Sequence, residues 1–126
     1  MSCKFIFVEE FPKFDKNYVH IGNVELDISN SFRLLECLFH TLEFPDYFGF
    51  NWNALDDCLT DFSWLSKKNI ILIHDGVPHL PSNELDIYLK ILHDAIINWE
   101  ADSEVSFEVY FYLKHKNKIL NFFNSQ

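Results

Sequence analysis

Residues 44–60 read Phe44-Pro45-Asp46-Tyr47-Phe48-Gly49-Phe50-Asn51-Trp52-Asn53-Ala54-Leu55-Asp56-Asp57-Cys58-Leu59-Thr60, and their reading decides the fold. An aromatic-rich turn gives way to a helix start. Pro45 stops any helix before it, Gly49 permits a positive φ, and Asn51 is a good N-cap. Wound at about 100° per residue, residues 52–62 sort into two faces. Trp52, Ala54, Leu55, Cys58, Leu59 and Phe62 fall on one side; Asn53, Asp56, Asp57, Thr60 and Asp61 fall on the other. The polar side holds three carboxylates and no cation. Like charges at such spacings cost a helix about 0.2–0.5 kcal/mol per pair. A face that tolerates this is a candidate for a partner surface.

Working outward, Cys3 to Val8 is a β-prone run, and Tyr18 to Ile21 is a second short strand closed by a turn at Gly22-Asn23. These two strands are expected side by side or as a ribbon. Ser29 or Ser31 can cap a helix running to about Leu42, with Phe32, Leu35, Leu38, Phe39 and Leu42 as its apolar set. The acidic helix ends near Asp61. Asn69 to His74 is a continuous apolar run, the signature of a strand buried on both faces of a parallel sheet. After a loop with two prolines, Glu84 to Glu100 is amphipathic. Leu85, Tyr88, Leu89, Leu92, Ile96 and Trp99 form its buried stripe, while Asp86, Lys90, His93, Asp94 and Asn98 face water. Ser106 to Leu113 is the last strand. Lys114 to Lys118 is a basic, solvated end, and Ile119 to Phe123 is a short helix or an apolar flap. Strands separated by helices imply right-handed crossovers and a parallel sheet. The chain is therefore a single α/β domain over residues 1–126. Its parallel central sheet has about three strands plus an N-terminal extra strand, flanked by helices.

Composition narrows the function. At 126 residues, 48% of them apolar, the chain can bury one core. Fourteen Phe against three Gly argue against disorder. A net charge of −9 repels nucleic acid, whose binding relies on Lys and Arg, and favours a basic protein partner. A merely soluble acidic domain carries the same charge. Cys3, Cys37 and Cys58 form no CxxC pair, so neither a disulfide framework nor a zinc site is implied. No leader pattern and no apolar run near the roughly 20 residues of a membrane span is present. The reading is cytoplasmic, with no membrane partner.

A catalytic reading would start from Asp56, Asp57 and Asp61. Asp57 and Asp61 lie four apart, where a hard cation could bridge them. No His shares the helix, and no Lys or Arg is placed to stabilise developing negative charge. None of the six His residues pairs with another at ligand spacing, and each reads as a surface or loop residue. Cys58 lies on the apolar face, which argues against a nucleophile. No nucleotide-binding or hydrolase motif is found. The reading is not an enzyme, with no catalytic residue, metal or cofactor. Of Tyr47 and Phe48, one reads as a core plug and the other as a surface aromatic beside the carboxylates.

The same stretch resembles the barstar family of intracellular nuclease inhibitors. The shared pattern is an acidic residue, Tyr-aromatic-Gly, one residue, Asn, two residues, Ala-Leu, one residue, then Asp-Cys-Leu-Thr. It runs here from Asp46 to Thr60. The strong match covers roughly Leu42 to Thr60, and a weaker match in element order extends from about Tyr18 to Leu113. The resemblance implies a small three-layer α/β fold and an immunity protein that inserts an acidic helix into the active site of a basic nuclease toxin. It assigns contact roles to Tyr47, Gly49, Asn51, Asp57 and Thr60, with Asp57 as the central aspartate held by active-site cations. Asn53 stands where the best-known member has a second aspartate. Asp56 and Phe62 stand where it has tryptophans. Asp94 is matched to a further acidic contact from the long helix. Asp56 and Asp61 add acid to the same face. The free protein is expected to be monomeric. The alternative is a non-inhibitory interaction or regulatory domain that binds a basic partner.

Overall fold

A computed structural model describes residues 2–102 and 104–124. Its elements in chain order are β1 (Ile6–Val8), β2 (Val19–Val24), α1 (Ser31–Thr41), α2 (Trp52–Leu59), β3 (Asn69–His74), α3 (Ser82–Glu100), β4 (Ser106–Tyr112) and α4 (Lys116–Asn124). One turn of 3₁₀-helix, Leu113–His115, joins β4 to α4. The four strands form one parallel sheet in the order β1-β4-β3-β2, flanked by the four helices.

The apolar run of β3 takes the centre of the sheet, with Ile70, Ile71 and Leu72 all buried. Side chains alternate across the sheet. Ile70, Leu72, Phe107, Val109 and Phe111 join the core under the helices. Ile71 and Tyr110 are buried outside that core, on the other face. The segment between β1 and β2 supplies the third layer there. Phe11 stacks on Tyr112 with ring centroids 4.2 Å apart, and Phe14 meets Tyr110 edge-on at 5.5 Å.

This layer overturns the expected neighbourhood of β1 and β2, which lie at opposite edges. Three strand spacings are about 14 Å, well within reach of a ten-residue connection at up to about 33 Å. The aromatic anchors hold it across the sheet. The turn expected at Gly22-Asn23 is also absent, because both residues continue β2. Gly22 is there for close approach: a Cβ on it would lie 2.8 Å from Leu42 Cδ2 and 3.2 Å from Leu72 Cδ1. The first strand is shorter than Cys3 to Val8.

Asn30, rather than Ser29 or Ser31, caps α1, its side-chain oxygen accepting from Arg33 N–H at 2.9 Å. Asn30 lies in the extended conformation that an N-cap requires, which leaves Ser31 as the first helical residue. Of the apolar set on α1, Leu35, Leu38 and Leu42 are buried but Phe32 is 55% exposed. Helix α3 begins two residues before the expected Glu84.

Two histidines expected at the surface are buried. His74 Nδ1 lies 3.2 Å from Tyr110 O, which can only accept, so Nδ1 carries the proton. Nε2 then accepts from the Tyr88 hydroxyl at 2.8 Å, and Phe111 stacks on the ring at 4.1 Å. His93 accepts the Lys4 N–H on Nε2 at 3.0 Å and is enclosed by Phe5 and Phe123. It fastens the N-terminal segment and α4 onto α3, which is why the helix pattern alone misplaced it.

Candidate functional site: an acidic helix locked from behind

Asn51 starts α2 as expected, its Oδ1 accepting from Ala54 N–H at 2.8 Å. Its Nδ2 donates to Gly49 O at 3.3 Å. Gly49 does not adopt a positive φ. Phe50 does, at 52°, as do Glu43 at 55° and Phe62 at 52°. A non-glycine residue there carries strain on the order of 1 kcal/mol or more, so its surroundings must fix it. Phe50 is held by Phe48 at 4.9 Å and Phe39 at 5.2 Å. Glu43 is fixed by a helix-ending pair of bonds, Phe44 N–H to Phe39 O and Glu43 N–H to His40 O. The buried ring of Phe62 packs on Phe107 at 5.4 Å and stacks on Trp99 at 6.1 Å.

Leu55, Cys58 and Leu59 are buried on the inner face of α2. Trp52 approaches Tyr88, and the Trp99 indole N–H donates to Leu59 O at 2.7 Å. Helix α2 therefore runs in the same direction alongside the stretch of α3 from Tyr88 to Trp99. Burial, with the carboxylates of Asp61 and Asp57 behind it, pushes the Cys58 thiol up to about 11. At neutral pH it is a thiol, not a nucleophile.

The outer face carries the sequence-assigned residues Asn53, Asp56, Asp57 and Asp61, all exposed, with Thr60 half-buried. The Thr60 hydroxyl donates to Asp56 O at 2.9 Å and so closes the last turn. Asp61 Oδ1 accepts from Ser63 N–H at 3.2 Å. Among the described residues, no Lys, Arg or His lies within ion-pair distance of Asp46, Asp56, Asp57 or Asp61. Nor does any group of three or more His, Cys, Asp or Glu among them converge as a metal ion requires. Tyr47 is 75% exposed, whereas Phe48 is the core plug.

Asp94 stands apart. It is exposed, and its carboxylate is held by Lys90 Nζ at 2.8 Å. At about 100° per residue it lies roughly 140° around α3 from Trp99, the residue that reaches α2. It is thus turned away from the α2-facing side of its own helix and is paired, unlike the carboxylates of α2.

Two features of this region escaped the sequence. Helical spacing places Phe32 in the apolar set of α1, and no pattern singles out Phe50. In the structure Phe50 has a positive φ, which no motif announces, and its ring lies 5.8 Å from that of Phe32.

The model of the family described as Barstar (barnase inhibitor) matches residues 24–112. The matched span takes in every one of the site residues named above, and leaves β1, nearly all of β2, and α4 outside. No curated protein sequence matches the chain.

Proposed function

This chain belongs to the barstar (barnase inhibitor) family, and on that premise we propose that it inhibits a nuclease toxin, most simply a ribonuclease, as its immunity protein. Members of the family are inhibitors rather than enzymes. The observation that carries the proposal is the unpaired acidic face of α2 on a helix fixed from behind. Its carboxylates take the places of substrate phosphates in the toxin's cleft and pair with the cations that serve catalysis there. Charge-assisted hydrogen bonds of this kind are about twice as strong as neutral ones. The remaining excess negative charge steers the basic partner into register.

Within that reading Asp57 is central, flanked by Asp56, Asn53, Thr60 and Asp61, with Tyr47 and Gly49 on the preceding loop. Asn51 contributes chiefly by holding the helix start. Asp94 belongs to the site only if the partner reaches around α3. The protein acts in the cytoplasm of the cell that makes the toxin. The test is to co-express it with the product of the adjacent gene and titrate it against that product's RNase and DNase activities. Stoichiometric suppression supports the proposal. A neighbouring product without nuclease activity, or one left active by excess protein, contradicts it.

A further inference from the structure

Helix α1 buries Leu34, Leu35 and Leu38 but leaves Phe32 more than half exposed. An exposed phenyl ring forgoes the gain from burial, and this one is not loose. It lies against Phe50, ring centroids 5.8 Å apart and tilted by 30°. Phe50 is itself held at a positive φ by Phe39 and Phe48, which continue through Phe44 to Trp64. The pair is the outer end of a fixed aromatic row. Phe50 directly precedes the Asn51 cap, so the pair adjoins the start of the acidic helix.

We propose that Phe32 and Phe50 form an apolar ledge that extends the partner surface beyond α2 and receives an aliphatic or aromatic side chain from the rim of the nuclease's basic cleft. This rests on the inhibitor reading above. Charge decides the occupant. The helix adjoining the ledge is negative and uncompensated, and the cation beside it, Arg33, is already held by Glu36 at 3.0 Å. A basic partner is drawn to the helix and meets no free cation from Arg33 at the ledge. A pre-fixed aromatic pair loses little side-chain freedom on binding, which favours its use as an anchor.

The test compares the parent, Phe32→Ala, Phe32→Glu and Asp57→Ala in binding kinetics. The probe is a catalytically inactivated form of the nuclease encoded beside the gene. Phe32→Ala should raise the dissociation rate about tenfold or more and leave the association rate within about twofold, since no charge changes. Phe32→Glu should also weaken binding, although it adds negative charge toward a basic partner. Melting curves close to the parent's exclude misfolding, because Phe32 is exposed. If Asp57→Ala weakens binding while both Phe32 variants bind like the parent, the ledge is overturned and the inhibitor reading stands. If Asp57→Ala has no effect, or the nuclease does not bind, the inhibitor reading fails and the ledge with it. A concentration-dependent dimer abolished by Phe32→Ala would assign the ledge to a second copy of the chain and overturn the proposal.

Discussion

The indole N–H of Trp99 donates to the main-chain carbonyl of Leu59 at 2.7 Å, fastening the last turn of α2 to the end of α3. The carbonyls of a helix's last turn have no partner within it. Here one is satisfied from the neighbouring helix, so the end of the acidic surface is positioned by the core.

Stability on the inner face of α2 should follow from this. Leu59 is fully buried, and Leu59→Ala should cost about 2–5 kcal/mol. Trp99→Phe keeps a ring beside Phe62 but leaves the Leu59 carbonyl without its donor. It should cost about 1–3 kcal/mol. Urea unfolding of both variants measures this, and equal stability of Trp99→Phe and parent would remove the fastening role.

At the other end of the helix, Asn51→Ala should cost about 0.5–2 kcal/mol through loss of the cap. Asn51→Asp retains the acceptor and places negative charge at a helix N-terminus, where it is favourable by about 0.3–1 kcal/mol. It should fold at least as stably as the alanine variant. Thermal melts of the three proteins decide it.

His74 gives a pH dependence with a definite sign. Burial lowers its pKa to about 3, and the Tyr110 carbonyl only partly opposes this. Unfolded, the group takes up its proton near pH 6.5. Between about 6.5 and 3 the unfolded state binds the extra proton. The stability this group contributes is therefore complete above about 6.5 and is lost as the pH falls through that window. The slope from this group approaches about 1.4 kcal/mol per pH unit. His93, also lowered by burial, acts with the same sign. His74→Gln should flatten the loss measured by urea unfolding between about pH 7 and pH 5. An unchanged slope would mean that His74 is already charged in the folded protein.

Much of this architecture was legible in the sequence because it rests on local rules. Asn51 lies where an amide caps a helix, and the apolar run at β3 has the length and composition of a central parallel strand. The division of α2 into Leu55, Cys58 and Leu59 inside and Asn53, Asp56 and Asp57 outside follows from helical period alone. What was not legible depends on distant pairings. His93 looked like a surface residue on its own helix, and only the return of the N-terminal segment and α4 buries it. The spacing of Phe32 fits the stripe, but it lies in the first turn of α1, touches only the loop ring of Phe50 among the described aromatics, and stays more than half exposed. The edge positions of β1 and β2 depend on a ten-residue connection whose two aromatic anchors carry no periodic signal.

Capture of the partner should be strongly dependent on salt. The Debye length shrinks from about 10 Å at 0.1 M to about 3 Å at 1 M, which screens the attraction between an exposed acidic face and a basic cleft. Stopped-flow association rates should fall steeply across that range. A flat profile would indicate that apolar contact, not charge, governs encounter.

The most direct test of the central claim is a toxin-inhibition titration of Asp57→Ala beside its melting curve. Asp57 is exposed and, among the described residues, unpaired and surrounded by like charges. Removing it should leave stability unchanged or raise it by a few tenths, about 0.2–0.5 kcal/mol. It should cost more than about 2 kcal/mol of binding, and Asn53→Ala should cost less because a neutral amide pairs more weakly with cations. The account predicts a folded protein that no longer inhibits at stoichiometric concentration. A folded Asp57→Ala that inhibits as well as the parent would contradict it, and would make the outer face of α2 an ordinary solvated surface.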